Sequence, residues 1–483
     1  MSTPRIALLV DHPQRDLAGL VLTAFALCQR GMICHLVPIN QQEREVWGLA
    51  PDFVLFNFLR KGTESLAHSL GTAGIRFALL DTEGGVWADY ESYTELLWED
   101  PALRAQARSL CMWGPKLSEH LIAAGMFSAE QIRITGCPRF DFYHPRWRSV
   151  VWPDAAAENG GTVRRRVLIN TNASVGNPRF TSVANNRSTL RTRFGWTESR
   201  IQDTIDAEQG AVEETIVLAR RLALDIPDCD TIVRPHPHEA VEPYQNGLGD
   251  LANIEINGSG PVQPQIFRAS VVIQRNCTTA IEAGMAGVPT LSPQWFPTAY
   301  TMPMAEDVSV RCETYADLRA TVDAILADRY VAPPALACDI QRIVRDWFHR
   351  IDGLAYERVA SAILEHLGTA RTVDPAQCHR YLYGLGSARQ HGRVRLSNRV
   401  RRTLGLPPEW SFRYMRPIPP EWKRDKRFGA TDVRRIVARI HAAFRAGDAE
   451  PRPVHVAAAS DRGAYIRQMH GVSVTMYGDG ADG

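Results

Sequence analysis

The sequence lacks three features that would place it in a specialised class of protein. Its nine cysteines include no CxxC pair, so neither a zinc knuckle nor a disulfide framework is indicated. No stretch approaches the roughly 18 consecutive apolar residues of a membrane-spanning helix. The first apolar run ends before Asp11, which is too short for the core of a signal peptide. We therefore expect a cytoplasmic protein, either free or held peripherally on the inner membrane.

Charge is unevenly distributed along the chain. The formal net charge is only +2, but residues 371–450 contain 18 Lys and Arg against seven Asp and Glu. Aromatic residues are interleaved with this positive charge. Such a segment can dock on an anionic membrane surface or on a partner enzyme, while a solvated helical appendage is the alternative. We do not expect nucleic acid as a partner.

Short apolar runs alternate with amphipathic stretches along the first 370 residues. Runs such as Ile6–Val10, Phe53–Phe56 and Val271–Ile273 are apolar throughout, which is typical of parallel strands covered by helices on both faces. The pattern restarts at Val167 after a linker rich in Pro, Gly and charge. The sequence predicts an α/β protein with two doubly wound Rossmann-like domains, residues 1–150 and 151–370, and a ligand cleft between them. Residues 371–483 form the basic C-terminal extension.

A first candidate ligand-binding loop follows a predicted strand of the second domain. The apolar run Thr231–Val233 leads directly into Arg234, His236 and His238, and two prolines stiffen the loop. Side chains at the carboxyl end of a parallel strand face the ligand in such folds. Arg234 can grip a phosphate through two hydrogen bonds, and His236 can donate to a phosphate or a leaving oxygen. A plain surface turn is the alternative interpretation.

A second candidate segment lies some forty residues later. There an apolar run ends at Arg275 and Asn276, and a helix is predicted to begin near Thr278 and Thr279 with Glu282 about one turn in. A helix N-terminus favours phosphate. Glu282 can accept hydrogen bonds from ribose hydroxyls, although a capping-box partner for either threonine is its alternative role.

The segment that follows the first strand of the second domain supplies two more candidates. Asn172 and Ser174 stand in a run of small polar residues directly after Val167–Ile169. A phosphate or a sugar can approach backbone amides at this place. We expect both residues to contact the donor, a flexible loop being the alternative.

These segments together resemble a known family. The RPHP loop and the pattern NCTTxxEAxxxGxP resemble the donor half of GT-B glycosyltransferases. Within them the chain is similar to bacterial surface-carbohydrate biosynthesis proteins, which include retaining β-Kdo transferase modules that use CMP-Kdo. In the first domain the resemblance rests on LDTEGG at 80–85, WGPK at 113–116 and GCPRFD at 136–141. It covers roughly residues 1–370 and leaves the basic extension outside.

The resemblance implies catalytic carboxylates in the first domain. A retaining transfer through a covalent intermediate needs one carboxylate nucleophile and one acid/base group. The family pattern makes Asp141 the candidate nucleophile and Glu83 the candidate acid/base, with Asp81 in support. The alternatives are a cap on the following turn for Asp141 and a plain turn residue for Glu83.

The expected function is transfer of Kdo or a related sugar from a CMP-sugar donor during synthesis of capsule, O-antigen or lipopolysaccharide. A glycan or a lipid-linked glycan would be the acceptor. We expect no cofactor and no metal, because no ligand spacing is evident. The rivals are a CDP-polyol phosphotransferase, a UDP-sugar epimerase of similar architecture and a non-enzymatic carbohydrate-binding protein.

Overall fold

A computed structural model describes residues 3–60, 63–85, 89–153, 164–368, 372–382, 396–397, 399–401, 403–404, 426–447, 450–458 and 473–479. The chain divides into two compact units. Unit 1 comprises residues 1–85, 90–150 and 347–483, and unit 2 comprises residues 86–89 and 151–346. Each unit is built around one sheet.

The sheet of unit 1 contains eight strands in the order β13-β14-β2-β1-β3-β4-β5-β6. Strands β1 to β6 are mutually parallel, whereas β14 pairs antiparallel with β2 and β13 pairs antiparallel with β14. The strand bounds are β1 Arg5–Val10, β2 Ile33–Pro38, β3 Phe53–Phe56, β4 Arg76–Leu79, β5 Leu110–Met112, β6 Ile132–Ile134, β13 Val454–Ala458 and β14 Val474–Gly478.

The sheet of unit 2 is parallel throughout, in the order β12-β11-β10-β7-β8-β9. Its strands are β7 Arg166–Asn170, β8 Asp230–Arg234, β9 Ile254–Ile256, β10 Val271–Gln274, β11 Thr290–Pro293 and β12 Val310–Cys312. This is the strand order of a classical dinucleotide-binding domain. The predicted fold class, an α/β protein with two doubly wound Rossmann-like domains, is confirmed, with two antiparallel strands added at one edge of the unit 1 sheet.

The helices of unit 1 follow its strands. They are α1 Ala18–Gln29, α2 Gln42–Leu49, α3 Glu64–Thr72, α4 Tyr90–Thr94, α5 Pro101–Arg104, α6 Pro115–Ala123, α7 Pro145–Val151, α16 Ala355–Leu364, α17 Pro375–Leu382 and α18 Ala430–Arg445. Short turns of helix cover Pro13–Leu17, Ile39–Gln41, Ala129–Gln131 and Pro138–Tyr143, and another, Val344–Phe348, lies where the chain passes from unit 2 back to unit 1.

The helices of unit 2 lie between its parallel strands in the sequence or follow the last of them. They are α8 Val183–Phe194, α9 Glu198–Asp225, α10 Glu242–Leu248, α11 Gln263–Arg268, α12 Thr279–Ala286, α13 Pro303–Asp307, α14 Tyr315–Leu326 and α15 Pro334–Ile343.

Helix α1 is the centre of unit 1. Its sequence is apolar on all sides, and ten of its residues are buried, as expected of a helix that is covered all round. It contacts β2, α16, α18 and the turn Pro138–Tyr143. Gly19 permits this packing, because a Cβ there would lie 2.8 Å from the backbone nitrogen of Arg139.

The C-terminal residues differ from the expected separate extension. The chain returns to unit 1 at Trp347 rather than leaving the second domain near residue 370. Helix α18 buries Val433, Val437 and Ile440, and β14 pairs with β2. The described part of the C-terminal region therefore completes the sheet and the core of unit 1, while about half of its basic, aromatic stretch lies outside the described residues.

Replacing Met476 by alanine tests this integration. Met476 lies on β14 and is 0% exposed, so truncation leaves a cavity that should lower the free energy of unfolding by about 2 kcal/mol or more. Urea denaturation of the full chain measures the change. His455→Ala is the control, because His455 is exposed on the neighbouring strand. Equal stability of both variants would contradict the packing described here.

Candidate functional site

The reversal of strand order in unit 2 creates a polar hollow. Strands β7 and β10 are neighbours, but the chain leaves them toward opposite edges of the sheet. Ligands of doubly wound sheets bind at such a reversal, outside the carboxyl ends of the strands. An open hollow of about 590 Å³ lies here, lined by residues that follow both strands, by one face of α9 and by residues 296–300.

Two asparagines tie the ends of these strands together. The side chain of Asn170 donates to Thr279 Oγ1 at 3.0 Å, and that of Asn172 donates to the backbone oxygen of Asn276 at 3.2 Å. Asn172 lines the hollow, whereas Ser174, the other predicted donor contact of this segment, is not among its lining residues. The Ser174 carbonyl instead accepts from Asn186 at 3.2 Å.

Asn276 shapes one wall of the hollow. Its φ of +56° is left-handed, a conformation that asparagine adopts more readily than most residues. Its side-chain amide donates to the Tyr300 carbonyl at 2.5 Å and to Thr298 Oγ1, and its Oδ1 accepts from the Met302 backbone N–H at 2.9 Å. Asn276 thus holds the loop that carries Tyr300 over the hollow.

Arg234 is already engaged in holding a loop. Its two terminal nitrogens donate to the carbonyls of Ser259 and Gly260 at 3.0 and 2.6 Å, which uses two of the five N–H groups of a guanidinium. Burial lowers the pKa of Arg234 to about 10, against the favourable charge of Glu282 nearby. Arg234 and Glu282, predicted as donor-binding residues from separate segments, therefore lie close together.

Helix α12 begins where the sequence predicts, but its first turn does not form the capping box that was the alternative role of Glu282. Thr278 makes no side-chain bond to the helix backbone, and Thr279 Oγ1 is bonded to Asn170 and to Cys277 Sγ instead. Glu282 is 2% exposed. Its carboxylate is therefore placed by tertiary contacts and not by a reciprocal cap.

Arg275 is paired with a carboxylate, although the sequence predicts that it contacts the donor. Its guanidinium forms an ion pair with Glu306, which is 2% exposed, and approaches Ser292 Oγ at 3.4 Å. Arg275 also lines the hollow. The pairing with a buried carboxylate gives Arg275 a structural task, which anchors α13 to the sheet.

Glu239 is the organising residue that the sequence analysis missed. It is 1% exposed, and its carboxylate accepts from Thr171 Oγ1 and Tyr244 OH at 2.8 Å and from the Ala173 backbone N–H at 2.6 Å. The His236 backbone N–H approaches it at 3.3 Å. The loops after β7 and β8 are therefore joined through one carboxylate, and the only sequence signal was its place directly after the RPHPH loop.

The two histidines of that loop lie side by side. The rings of His236 and His238 stack with centroids 5.7 Å apart, and His236 Nδ1 accepts from the His238 backbone N–H at 3.3 Å. The His238 ring also meets Phe180 edge-on. His236 and His238 are thus held as a pair at the carboxyl end of β8, but neither lines the hollow.

Glu208 supplies a second carboxylate that the sequence analysis missed. It projects from α9 into the lining of the hollow and accepts from the backbone N–H groups of Val175 and Gly176 at 2.7 and 2.8 Å. Burial raises the pKa of Glu208 to about 7, although these two donors oppose the shift. Near neutral pH the hollow therefore carries a partly ionised acceptor.

Unit 1 has a hollow of its own at its strand reversal. The order β2-β1-β3-β4 reverses direction between β1 and β3, and an open space of about 350 Å³ lies at their carboxyl ends. Its polar lining includes Asp16, Asp81, Thr82 and Arg139. Position and lining mark it as a second place for a polar ligand.

A chain of ion pairs borders this second hollow. Arg15 contacts Asp11 at 2.6 Å, Asp16 at 2.9 Å and Glu83 at 3.2 Å. Arg60 continues the chain, contacting Glu83 at 2.7 Å and Asp81 at 3.8 Å. Lys426 then joins from the C-terminal region, with its Nζ 2.6 Å from Asp11 Oδ1, a contact that no sequence signal pointed to.

The pKa values of Asp81 and Glu83, the two carboxylates of the LDTEGG segment, are shifted in opposite directions. Partial burial opposes ionisation of Glu83, but the charges of Arg15 and Arg60 outweigh it and lower its pKa to about 2. Burial raises the pKa of Asp81 to about 6, against the pull of Arg60. Because proton transfer near neutral pH needs a pKa near the working pH, Asp81 fits the acid/base role better than Glu83.

Asp141 caps a helix. It is 1% exposed, and its two carboxylate oxygens accept from the backbone N–H groups of Ala355 and Tyr356 at 2.9 and 2.8 Å, at the start of α16. Burial raises its pKa to about 7 despite these donors. Nucleophilic attack would require Asp141 to give up this cap, so the described geometry favours the capping role that the sequence left open.

Neither a metal centre nor a membrane span emerges from the described part of the chain. Within it, no group of three or more His, Cys, Asp or Glu side chains could hold a metal ion. The helices described above also include none with the length and apolar character needed to cross a bilayer.

Comparison with known proteins yields similar folds only. No family model and no curated protein sequence matches the chain. Similar solved structures include UDP-GlcNAc 2-epimerase from Neisseria meningitidis bound to UDP-GlcNAc, at 12% identity over 75% of this chain and 100% of that one, with a TM-score of 0.47. MnaA of S. aureus with UDP matches at 14% identity over 77% and 100%, with a TM-score of 0.48.

The wall teichoic acid polymerase TagF, solved with CDPG, matches at 10% identity over 76% of this chain and 89% of its own, with a TM-score of 0.48. At such identities the likeness concerns the fold and says nothing of ligand or reaction. The described strands define an α/β protein with two Rossmann-like units, each with a polar hollow at the reversal of its strand order.

Replacing Asp141 by asparagine distinguishes a cap from a nucleophile. An amide offers one oxygen where two N–H groups now bond, so the free energy of unfolding should fall by about 1–3 kcal/mol. Since the pKa of Asp141 is raised in the folded protein, the folded state binds the extra proton between pH about 4 and about 7. The wild type's stability relative to Asp141→Asn should therefore decrease as pH rises through that range.

Chemical denaturation at a series of pH values measures both effects. Asp352→Asn is not a suitable control, because Asp352 is paired with Arg358, whereas Asp203→Asn changes an exposed carboxylate on α9. Unchanged stability of Asp141→Asn with abolished turnover would reinstate Asp141 as the nucleophile.

Replacing Glu239 by glutamine tests its positioning role in unit 2. The amide nitrogen of glutamine would face an N–H or O–H donor and could not accept a hydrogen bond from it. The loops after β7 and β8 should then separate, and the affinity for ligand should fall about tenfold or more. Binding and steady-state kinetics should show the loss mainly in KM. Glu242→Gln makes the same chemical change at an exposed site three residues away and should bind as the wild type does. Equal affinity of both variants would remove Glu239 from the site.

Proposed function

We propose that the chain is an enzyme of carbohydrate assembly that binds a nucleotide-activated sugar or polyol at the strand reversal of unit 2. The observation that carries this proposal is the hollow of about 590 Å³ at the carboxyl ends of β7 and β10. Asn172 and Asn276 border it, and α12 begins directly beyond Asn276. Amide side chains and a helix N-terminus suit the ribose and the phosphates of a nucleotide.

The reaction that we propose is glycosyl transfer to a glycan or a lipid-linked glycan. With a sugar donor, this step forms a bond from an acceptor hydroxyl oxygen to the anomeric carbon and breaks the bond from that carbon to the nucleotide phosphate. A CDP-polyol would instead transfer its polyol phosphate: the acceptor oxygen bonds to the β-phosphorus, and the bond from that phosphorus to CMP breaks. The hydroxyl proton passes to a base. Asp81 is the proposed base, because its pKa near 6 leaves it ionised at neutral pH yet able to accept a proton.

The donor is the part of the proposal on which resemblance and geometry diverge. The sequence resemblance names CMP-Kdo, whose sugar carries a carboxylate. Glu208 lines the hollow, and Glu239 lies behind its wall. The carboxylate of the Kdo sugar would therefore meet groups of like charge. These two residues favour a donor whose terminal group is uncharged, such as the polyol of a CDP-polyol or the sugar of a UDP-sugar, with CMP-Kdo as the alternative.

The hydrogen bonds of Asp141 also argue against CMP-Kdo as the donor, because the sequence resemblance links CMP-Kdo to a retaining reaction. A retaining route through a covalent adduct needs a carboxylate free to attack. Both oxygens of Asp141 are bonded to backbone N–H groups. A direct displacement assisted by a base makes no such demand.

A UDP-sugar epimerase is the second candidate activity. Epimerisation also needs a nucleotide sugar and titratable groups, and Asp81 with its pKa near 6 suits proton transfer in either reaction. The two activities separate cleanly in solution, because an epimerase interconverts its substrate without an acceptor.

Calorimetric titration with CDP-glycerol, UDP-GlcNAc and CMP-Kdo tests the proposal. We expect a CDP- or UDP-linked compound to bind more tightly than CMP-Kdo. Arg234→Lys should weaken that binding about tenfold or more, since lysine cannot hold the Ser259 and Gly260 carbonyls and a phosphate with one planar group. Arg191→Lys, at an exposed position of α8, should bind as the wild type does.

Each alternative outcome has a definite meaning. If CMP-Kdo binds most tightly, the preference for an uncharged terminal group is wrong. If none of the three compounds binds, the nucleotide site itself is wrong. Incubation without acceptor then identifies an epimerase if the bound sugar is interconverted. Release of nucleotide that requires a glycan acceptor identifies a transferase.

A further inference from the structure

A short helical segment of the basic C-terminal region exposes an apolar stripe. Leu396, Val400 and Leu404 are 65%, 53% and 66% exposed. The Leu404 backbone N–H donates to the Val400 carbonyl at 3.1 Å, and Thr403 Oγ1 donates to the Arg399 carbonyl at 3.2 Å. These are bonds between residues four apart, as in an α-helix, so the three aliphatic side chains lie along one face.

The concentration of exposed aliphatic groups is unusual for this protein. The other large apolar side chains that are exposed among the described residues are spread over the chain from Ile122 to Leu354. Scattered apolar residues of that kind are ordinary on a soluble surface. Three in nine residues on one helical face are not, because their exposure to water costs free energy that a covering surface would recover.

The charge in the sequence that flanks this stripe is of one sign. From Pro375 to Pro408 the sequence contains seven arginines and no Asp or Glu. Arg399, between two members of the stripe, is exposed. An apolar face bordered by arginines matches the two layers of a bilayer interface, acyl chains below and anionic phosphates at the level of the headgroups.

We propose that the helical segment 396–404 docks unit 1 on an anionic phospholipid membrane. Leu396, Val400 and Leu404 enter the boundary between headgroups and acyl chains, and the arginines contact lipid phosphates. Nucleic acid would satisfy the arginines but would leave the aliphatic stripe exposed. A membrane is the partner that uses both features, and the inference is independent of the enzyme's donor.

Sedimentation of the full chain with lipid vesicles tests the proposal. We expect binding to vesicles of phosphatidylcholine mixed with phosphatidylglycerol, little binding to phosphatidylcholine alone, and weaker binding as salt is raised. The triple change Leu396→Ser, Val400→Ser and Leu404→Ser should reduce the vesicle-bound fraction about tenfold or more. Arg399→Gln should weaken binding about fivefold.

A matched control removes three exposed aliphatic groups from unit 2. Val217, Leu224 and Val331 are 51%, 62% and 85% exposed, and their replacement by serine should leave vesicle binding unchanged. Thermal unfolding must be the same for both triple variants, which separates lost docking from lost folding.

Three results would overturn the proposal. The first is no binding to the anionic vesicles. The second is equal binding by the stripe variant and the control variant. The third is a dimer of the wild type without lipid that the stripe changes abolish, because a second copy of the chain would then cover the stripe.

Discussion

The parallel pairing of β7 with β10 is the constraint on which the ligand site of unit 2 depends. The register sets Val271 beside Val167 and Gln274 beside Asn170, so both strands end at the same level of the sheet. Their interiors are apolar and buried, and the first polar side chains can appear only at these ends. Because the chain then departs toward opposite edges, a hollow with polar walls remains between the strand ends, lined on one side by α9.

Buried carboxylates fasten the loops around both hollows. Glu239 joins the loops after β7 and β8, Glu208 holds residues 175 and 176 against α9, and Asp141 joins the turn Pro138–Tyr143 to α16. Burying a carboxylate is costly unless several donors satisfy it, and each of these accepts at least two. The raised pKa values of Glu208 and Asp141, both about 7, show that donors offset the burial only in part.

Local sequence patterns predicted the fold class because apolar runs and their spacing report strand burial directly. They also predicted two of the loops that border the unit 2 hollow, those after β7 and β10, since a polar residue after an apolar run marks the carboxyl end of a strand, whereas the predicted histidines after β8 do not line it. Partners distant in sequence lay beyond such reasoning: Asp141 meets Ala355, and Asp11 meets Lys426. The roles of Asp141, Glu83 and Arg275 each depend on a partner distant in the sequence, which no local pattern contains.

The same long-range contacts change the meaning of the basic region. Helix α17 is fixed to α2 through the stacked rings of Trp47 and Tyr381, 4.5 Å apart, and α18 is fixed to α1 through its buried aliphatic face. Segment 396–404 lies between these two anchors and is therefore part of a connection within unit 1, not a free tail. Because the chain joins unit 1 on both sides of this segment, docking there would bring unit 1 itself to the membrane.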